Sequence, residues 1–246
     1  MPDSAVRTID SDAQPALRIE DLNAWYGQSH VLHGIALSVA RGELVALLGR
    51  NGAGRTTTLK SILGLVDRRR GSIRIAGTEV IAKPTHRIAR MGLVGYCPEE
   101  RGIFSRLSVD ENLRLPPRLR NGGIAVDELY RMFPNLAEQR NSLGSQLSGG
   151  EQQMLAVARI LRTGAQLLLL DEITEGLAPV IVDALGATIR GLKRRGLTIV
   201  MVEQNFNFVA PLADRHYIID NGRVVEVVEA SDVEAKAESI RRRLSI

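Results

Sequence analysis

Cysteine and long apolar runs are what this sequence most clearly lacks. It contains one cysteine, Cys97, in 246 residues, which excludes an internal disulfide and favours a reducing compartment. No apolar segment approaches the ~20 residues that a helix needs to cross a bilayer. The polar, acidic N-terminus lacks the charged-then-apolar pattern of a signal peptide. We therefore expect the protein to stay in the cytosol and to reach a membrane only through a partner.

A long tract of one charge is also missing. The formal net charge is +4, and three short basic clusters are spread along the chain. We interpret these clusters, at residues 68–70, 193–195 and 241–243, as solvated helix ends and turns. With 44% hydrophobic and 24% charged residues, the chain has the composition of a soluble globular protein with a substantial core. We expect no nucleic-acid partner.

What the sequence does contain is a phosphate-binding pattern. An apolar run at residues 44–48 enters a glycine-rich turn, and apolar residues at helical spacing follow it. Such a turn directs successive N–H groups and the positive end of a helix into one concavity. The turn matches G-x-x-x-x-G-K-[ST], with Thr56 at the position of a Mg²⁺ ligand. The candidate phosphate-binding residues are Gly49, Arg50, Asn51, Gly52, Ala53, Gly54, Arg55, Thr56 and Thr57.

One position of this pattern departs from its usual residue. Arg55 stands where the pattern has lysine. Arginine keeps the positive charge but presents a wide planar fork in place of a compact ammonium. Glycine-rich turns between a strand and a helix also occur without ligands. Other parts of the chain must therefore decide whether this turn binds a nucleotide or has no ligand.

Two adjacent acids follow a second apolar run. Asp171 and Glu172 end the unalternating segment at 167–170, which is typical of a central parallel strand. In open parallel sheets ligands bind beyond the carboxyl ends of the strands, so these acids are expected near the phosphate-binding turn. We assign Asp171 to a Mg²⁺ ion and Glu172 to the activation of a water molecule. The alternative is a solvated pair of acids at a strand end.

A second glycine-rich helix start lies at Ser148, Gly149 and Gly150. Ser148 alone is explained as an N-cap. Two consecutive glycines are not, since each costs a helix roughly 1 kcal/mol relative to alanine. Glycines at a helix start are useful where the backbone must approach an anion closely. The sequence therefore predicts a second phosphate-facing helix end.

The remaining patterns predict a mixed fold. Alternating apolar residues over 17–39 indicate antiparallel strands, and the segment 99–146 indicates a helical insertion. We expect a mobile tail over residues 1–14 and one domain over 15–246. Further strands are predicted at 71–75, 198–202 and 217–219, helices at 154–161 and 180–192, and a hairpin turn at 220–223.

Taken together, these motifs resemble the ATP-binding subunits of ABC transporters. Residues 49–56 resemble their Walker A motif, 167–172 their Walker B motif, and 148–153 their LSGGQ motif, and the resemblance covers about residues 17–229. It implies an α/β fold, a P-loop NTPase domain of the ABC type, with a parallel core sheet, an antiparallel β subdomain and a helical insertion.

The resemblance also implies a head-to-tail dimer that shares its ATP. Ser148, Gly149 and Gly150 would then contact the γ-phosphate bound by the partner's Walker A loop. Tyr26 occupies the position of the aromatic residue that stacks on adenine. The alternative for Tyr26 is a packed core tyrosine.

Two positions indicate a subfamily. Glu99 and Gln204 stand where the family commonly has glutamine and histidine. Both resemble the ATPases that drive uptake of branched-chain amino acids and similar solutes, and in particular the second of the two ATPase subunits that such systems pair. Glu99 would join Thr56 and Asp171 in the Mg²⁺ shell, and Gln204 would sense the γ-phosphate. Ile173 and Ala178 replace a proline and an aspartate common in the family, so they and Arg55 bear on the hydrolysis rate.

We therefore predict an ATPase of an ABC importer for branched-chain or related amino acids. It would use ATP and Mg²⁺ at the cytoplasmic face of the plasma (inner) membrane, as a peripheral subunit. Its expected partners are a paralogous ATPase or a second copy, two permease subunits and, indirectly, an extracytoplasmic solute-binding protein. The alternatives are a nucleotide-gated subunit with weak hydrolysis, an importer ATPase for another polar solute such as urea or amides, an exporter-type or lipid-extracting ATPase, and an ABC protein acting on nucleic acid.

Overall fold

A computed structural model describes residues 14–244 of the chain. The expected tail over residues 1–14 lies, except for residue 14, outside the described residues. The antiparallel sheet has the order β2-β1-β4-β5, which confirms the antiparallel strands predicted over 17–39. Its strands are β1 (Leu17–Tyr26), β2 (Ser29–Val39), β4 (Arg68–Ile75) and β5 (Thr78–Glu79).

The second sheet is the parallel core. Its order is β10-β9-β3-β8-β7-β6, and all pairings are parallel except that of β9 with β10. Its strands are β3 (Leu44–Leu48), β6 (Val94–Cys97), β7 (Leu167–Asp171), β8 (Thr198–Val202), β9 (Arg215–Asp220) and β10 (Arg223–Glu229).

The central strands are buried on both faces, which explains their unbroken apolar runs. Along β3, Ala46 packs in one hydrophobic cluster and its neighbours Val45 and Leu47 in the other. One cluster lies between the two sheets and includes Leu59 of the first helix. The other lies on the opposite face, under the remaining long helices. The carboxyl ends of the parallel strands therefore lie at one edge of the core sheet, between the two hydrophobic clusters.

Helices cover the sheets and form the predicted insertion. Its helices α3 and α5 contact α6, and Leu129 and Phe133 are buried in the same cluster as Leu155 of α6. The helices are α1 (Arg55–Ile62), α2 (Thr85–Arg90), α3 (Val109–Arg114), α4 (Val126–Met132), α5 (Pro134–Glu138), α6 (Gly149–Arg162), α7 (Pro179–Arg194), α8 (Phe206–Val209) and α9 (Val233–Leu244), with short 3₁₀ turns at Gly144–Gln146 and Ala230–Asp232. Within residues 14–244, none of these helices is long and apolar enough to span a bilayer.

One prediction about the basic clusters is wrong. Residues 68–70 do not form a helix end or turn but the first part of β4, where Arg68 pairs with Trp25 of β1. Arg68 and Arg70 are exposed, and the Arg68 guanidinium lies 4.7 Å from the Trp25 ring centroid. The arginines are compatible with a strand because cation–π contact and solvent satisfy their charge. The other two clusters lie at helix C-termini, as predicted.

Candidate functional site

The glycine-rich turn connects β3 to α1 at the carboxyl edge of the core sheet. Gly52 and Gly54 adopt left-handed backbone conformations, with φ of 79° and 107°. Gly54 precedes α1 and provides no side-chain cap. The first helical N–H groups, those of Arg55, Thr56 and Thr57, donate no hydrogen bond within residues 14–244. The turn therefore presents a set of free backbone donors at a helix N-terminus, as an anion cradle requires.

A cleft of about 500 Å³ opens over this turn. Its volume is within the range of small-molecule sites. Most of the predicted site residues line it, although they come from five separate parts of the sequence. The lining residues are Tyr26, Val31, Asn51, Gly52, Gly54, Arg55, Thr56, Thr57, Glu99, Glu172, Glu175 and Gln204.

Arg55 and Glu172 form a buried ion pair in the cleft. Arg55 Nη2 lies 2.9 Å from Glu172 Oε1, and the two side chains are only 4% and 10% exposed. The same nitrogen donates to Asn51 Oδ1 at 3.1 Å. Arg55 Nη1 is buried and has no hydrogen-bond partner among residues 14–244. A phosphate oxygen would satisfy this orphaned donor, so the side chain fits an anionic ligand.

Glu172 is held from two sides. Its second carboxylate oxygen accepts a hydrogen bond from Gln204 Nε2 at 2.7 Å. The backbone of Glu172 is left-handed, with φ of 46°, a conformation that costs a side-chain-bearing residue roughly 1 kcal/mol or more. The structure thus brings Arg55, Glu172 and Gln204 into one hydrogen-bonded group.

Asp171, at the end of β7, joins the turn to the core strands. Its carboxylate oxygens accept hydrogen bonds from Thr56 Oγ1 and from the Tyr96 hydroxyl, each at 3.0 Å. Burial raises the pKa of Asp171, and these two hydrogen bonds partly oppose the rise. A cation beside a buried carboxylate would favour its charged form. Thr56 and Asp171 are therefore close enough to act on one bound metal ion.

Glu99 lies in the same cleft. Partial burial raises its pKa, and the neighbouring carboxylates of Glu175, Glu172, Glu100 and Asp171 raise it further. So many acids around a phosphate cradle would repel a nucleotide unless a cation were bound with it. The donor set consists of hard oxygen ligands and therefore fits Mg²⁺.

Tyr26 stands at the rim of the cleft. Its side chain is 47% exposed, so the interpretation as a packed core tyrosine is wrong. An exposed aromatic ring at the mouth of a phosphate cleft is placed to contact a base.

The glycine-rich start of α6 lies outside this cleft. Ser148 caps the helix, and its hydroxyl accepts from the Glu151 N–H at 3.3 Å. The Glu151 carboxylate accepts in turn from the Ser148 N–H at 2.8 Å. Ser148, Gly149 and Gly150 are not among the residues that line the cleft, so within residues 14–244 the two glycine-rich helix ends do not face one ligand.

Two supporting residues, the buried Glu203 and the partly buried Tyr96, have no local sequence pattern that predicts them. Glu203 accepts hydrogen bonds from the Thr174 N–H at 3.1 Å and the Thr174 hydroxyl at 2.8 Å. It thereby ties the end of β8 to the loop after Glu172. Burial raises the pKa of Glu203 to about 7. Tyr96, the donor to Asp171, was also missed, because no local pattern marks either residue.

Comparisons with known proteins agree with this geometry. The family model described as ABC transporter matches residues 32–175. The chain is 40% identical over 212 residues to the high-affinity branched-chain amino acid transport ATP-binding protein BraG of Pseudomonas aeruginosa, covering 85% of this chain and 91% of that protein. It is 36% identical over 217 residues to the lipopolysaccharide export system ATP-binding protein LptB of Haemophilus influenzae, covering 85% and 88%.

Solved structures have the same fold. An ATP-binding subunit of an ABC transporter superposes with a TM-score of 0.78 at 28% identity, covering 93% of this chain and 99% of that one. A dimeric ATP-binding cassette in a post-hydrolysis state with ADP and Pi superposes with a TM-score of 0.77 at 22% identity, covering 87% and 98%. The chain belongs to the ABC transporter family, as one of its ATP-binding, ATP-hydrolysing subunits.

Proposed function

We propose that this chain is the ATPase of an ABC importer for branched-chain or related amino acids. One observation carries the ATPase chemistry: two hydrogen-bonded groups, Arg55 with Glu172 and Gln204, and Thr56 with Asp171, lie at a single phosphate cradle. The 40% identity to BraG supports the substrate class. Glu99 and Gln204, which match that subfamily's pattern, support it independently.

The roles follow from the contacts in the cleft. Arg55 and the free loop amides bind the β- and γ-phosphates, and Tyr26 stacks on adenine. Thr56, Asp171 and Glu99 would hold Mg²⁺, which when bound would neutralise phosphate charge. Glu172 acts as general base toward water, because it is the carboxylate nearest to the phosphate-binding arginine.

Nucleotide binding would free Glu172 from the buried ion pair. Each oxygen of this carboxylate already accepts a hydrogen bond, one from Arg55 and one from Gln204, and these two donors fix its orientation. A triphosphate competes for the Arg55 guanidinium and releases one side of Glu172. Gln204 can then bond a γ-phosphate or orient water, but it cannot titrate as histidine does.

The shared ATP site requires a second ATPase subunit. Ser148, Gly149 and Gly150 lie outside the cleft of their own chain, and the similar cassette with ADP and Pi is a dimer. We infer that these residues contact the ATP of a facing subunit, either a paralogue or a second copy. ATP binding would close this dimer and hydrolysis would reopen it.

The transport partners follow from the subfamily. We infer two permease subunits, reached through the helical insertion of α3, α4 and α5, and an extracytoplasmic solute-binding protein that contacts the permease. The chain would then be a peripheral subunit at the cytoplasmic face of the plasma (inner) membrane. The 36% identity to LptB favours one alternative, an ATPase of an export system, and Arg55 favours another, a nucleotide-gated subunit with slow turnover.

Purification of the intact complex from membranes tests the proposal. We expect permease subunits to co-purify, and branched-chain amino acid with its binding protein to stimulate phosphate release from the reconstituted complex. Glu172→Gln should lower this rate by roughly 10²-fold or more. Glu175→Gln, a matched change of a carboxylate in the same cleft, should stay within about 3-fold. Stimulation by lipopolysaccharide alone would support the export alternative, and a parent rate equal to that of Glu172→Gln would support the nucleotide-gated alternative.

A further inference from the structure

The segment that follows β6 is attached to helix α6 along its length. Gln153 Nε2 donates to Cys97 Sγ at 3.4 Å, and Arg101 Nη1 donates to Gln152 Oε1 at 2.6 Å. Arg159 Nη1 donates to the Gly102 carbonyl. Residues 97–102 are therefore tied to α6, which Ser148 caps and which begins with Gly149 and Gly150.

Arg101 lies directly beside the first residue of that helix. A Cβ atom on Gly149 would be 3.2 Å from Arg101 Nη2 and 3.7 Å from Nη1. The guanidinium thus occupies the space that any side chain at position 149 would need. The absence of a side chain at Gly149 lets a cation rest against the N-terminal turn of α6.

Within residues 14–244, no ion pair balances the charge of Arg101. Its side-chain hydrogen bond goes to the neutral amide of Gln152. The carboxylate of Glu151 also lies at the start of α6, where it accepts from the Ser148 hydroxyl at 2.7 Å. A phosphate that approached the start of α6 would therefore be repelled by Glu151 unless a cation stood beside it.

We propose that Arg101 is a phosphate-binding residue of the shared site. Together with Ser148 and the first amides of α6, it contacts the γ-phosphate of ATP held in the cleft of the facing subunit. This inference depends on the proposed function, in which two subunits share ATP. The planar guanidinium offers paired donors to phosphate oxygens and offsets the charge of Glu151. Because ADP lacks the γ-phosphate, Arg101 distinguishes ATP from ADP through subunit association.

Association of the two ATPase subunits provides the test. Glu172→Gln serves as the slowly hydrolysing parent, and its ATP-dependent association with the co-purified partner ATPase, or with a second copy if none co-purifies, is measured by sedimentation. Adding Arg101→Met should raise the ATP concentration for half-maximal association by roughly 10-fold to 100-fold. Arg101→Lys should give a smaller rise, and the ADP affinity of the separated chain should be unchanged in calorimetry.

The matched control is Gln152→Leu in the same parent. This change removes the hydrogen bond of Arg101 and that from Gln152 Nε2 to the Gly144 carbonyl, but it leaves the charge of Arg101, so we expect association within about 2-fold of the parent. An equal defect in Gln152→Leu would mean that Arg101 only braces α6, and association of Arg101→Met at the parent's ATP concentration would mean that Arg101 is not involved. Either result overturns the inference alone. A parent that fails to associate at any ATP concentration overturns the shared site and the inference together.

Discussion

Arg55 and Glu172 are 117 positions apart in the chain, yet their side chains meet at 2.9 Å in a buried ion pair. The contact joins the start of α1 to the residue after β7. Removing one member of a buried pair leaves an uncompensated charge and typically costs about 3–5 kcal/mol. In the resting site each member of the pair therefore compensates the charge of the other, and the pair also occupies the carboxylate that hydrolysis requires.

Replacement of Arg55 by lysine should show how strongly the ion pair keeps Glu172 from acting in hydrolysis. A lysine ammonium keeps the charge, but its side chain is shorter than that of arginine, so it should reach Asn51 and Glu172 less well than the single guanidinium nitrogen that donates to both. We expect Arg55→Lys to raise kcat by roughly 3-fold to 10-fold, because less free energy is needed to release Glu172. Steady-state phosphate release measures this, with Arg50→Lys as control, since Arg50 is exposed in the same turn. A lower kcat for Arg55→Lys would show that the fork itself is needed for turnover.

Tyr96→Phe should weaken the metal site without altering the phosphate cradle. The change removes one of the two hydrogen bonds to Asp171. Loss of such a supporting donor typically lowers metal affinity by roughly 10-fold or more. We expect the Mg²⁺ concentration for half-maximal ATP binding to rise accordingly, while ATP binding without Mg²⁺ stays within about 2-fold.

Tyr130→Phe is the matched control for that experiment. The Tyr130 hydroxyl donates to Asp110 in the helical insertion, at 2.9 Å, and this carboxylate does not line the cleft. Calorimetric Mg²⁺ titrations should therefore separate Tyr96→Phe from Tyr130→Phe. Superimposable curves for all three proteins would exclude a supporting role for Tyr96.

Glu203→Gln should flatten the pH dependence of stability. The pKa of Glu203 is about 7 in the folded protein, against an ordinary value of 4.5, mainly because of burial and partly because of Glu172. Between these values the folded state binds more protons than the unfolded state, so the free energy of unfolding falls as pH rises. At pH values above the folded pKa, the total loss of unfolding free energy from this titration is about 3 kcal/mol.

Glutamine at this position removes the titration and keeps an acceptor for the Thr174 N–H. Urea denaturation measures this. The free energy of unfolding of Glu203→Gln, taken relative to that of the parent, should rise by about 2–3 kcal/mol between pH 5 and pH 8. Parallel stability curves for the two proteins would mean that Glu203 stays charged in the folded chain.

Two glycines of the phosphate-binding turn should respond differently to alanine. A Cβ on Gly49 would overlap the Ile219 carbonyl, whereas a Cβ on Gly52 would meet nothing within 4 Å. Gly49→Ala must displace backbone, for which we expect a loss of about 2–3 kcal/mol and weaker ATP binding. Gly52→Ala should cost only about 1 kcal/mol, from its left-handed backbone. Denaturant titration compares them, and equal losses would contradict the close approach at Gly49.

The elements that the sequence predicts well are those with a strong local pattern. The unalternating runs that became β7 and β8, and the Asn221–Gly222 turn with its two positive φ angles, depend on neighbouring residues alone. The prediction for the arginines at the start of β4 is wrong because it used their charge alone, and the pairing of this segment with β1 cannot be read from the local sequence. Sequence reasoning found the ligand-binding turn but not its internal contacts.

Those contacts depend on residues that only folding brings together. Tyr96 reaches Asp171 across 75 positions, and Glu203 reaches Thr174 across 29. Neither residue belongs to a short motif with a known spacing. The ion pair between Arg55 and Glu172 is also such a contact. The sequence predicts each residue as part of the site, but it does not predict that the two side chains bind each other.

The thiol of Cys97 can be used to detect movement of α6. Cys97 is buried under Gln153 of α6, and burial raises its pKa to about 12, so it should resist alkylating reagents at neutral pH. Any tilt of α6 away from the core sheet would expose the sulfur and accelerate labelling. The rate at which a maleimide reacts with the unmodified protein therefore reads out helix displacement during the nucleotide cycle, with no introduced probe.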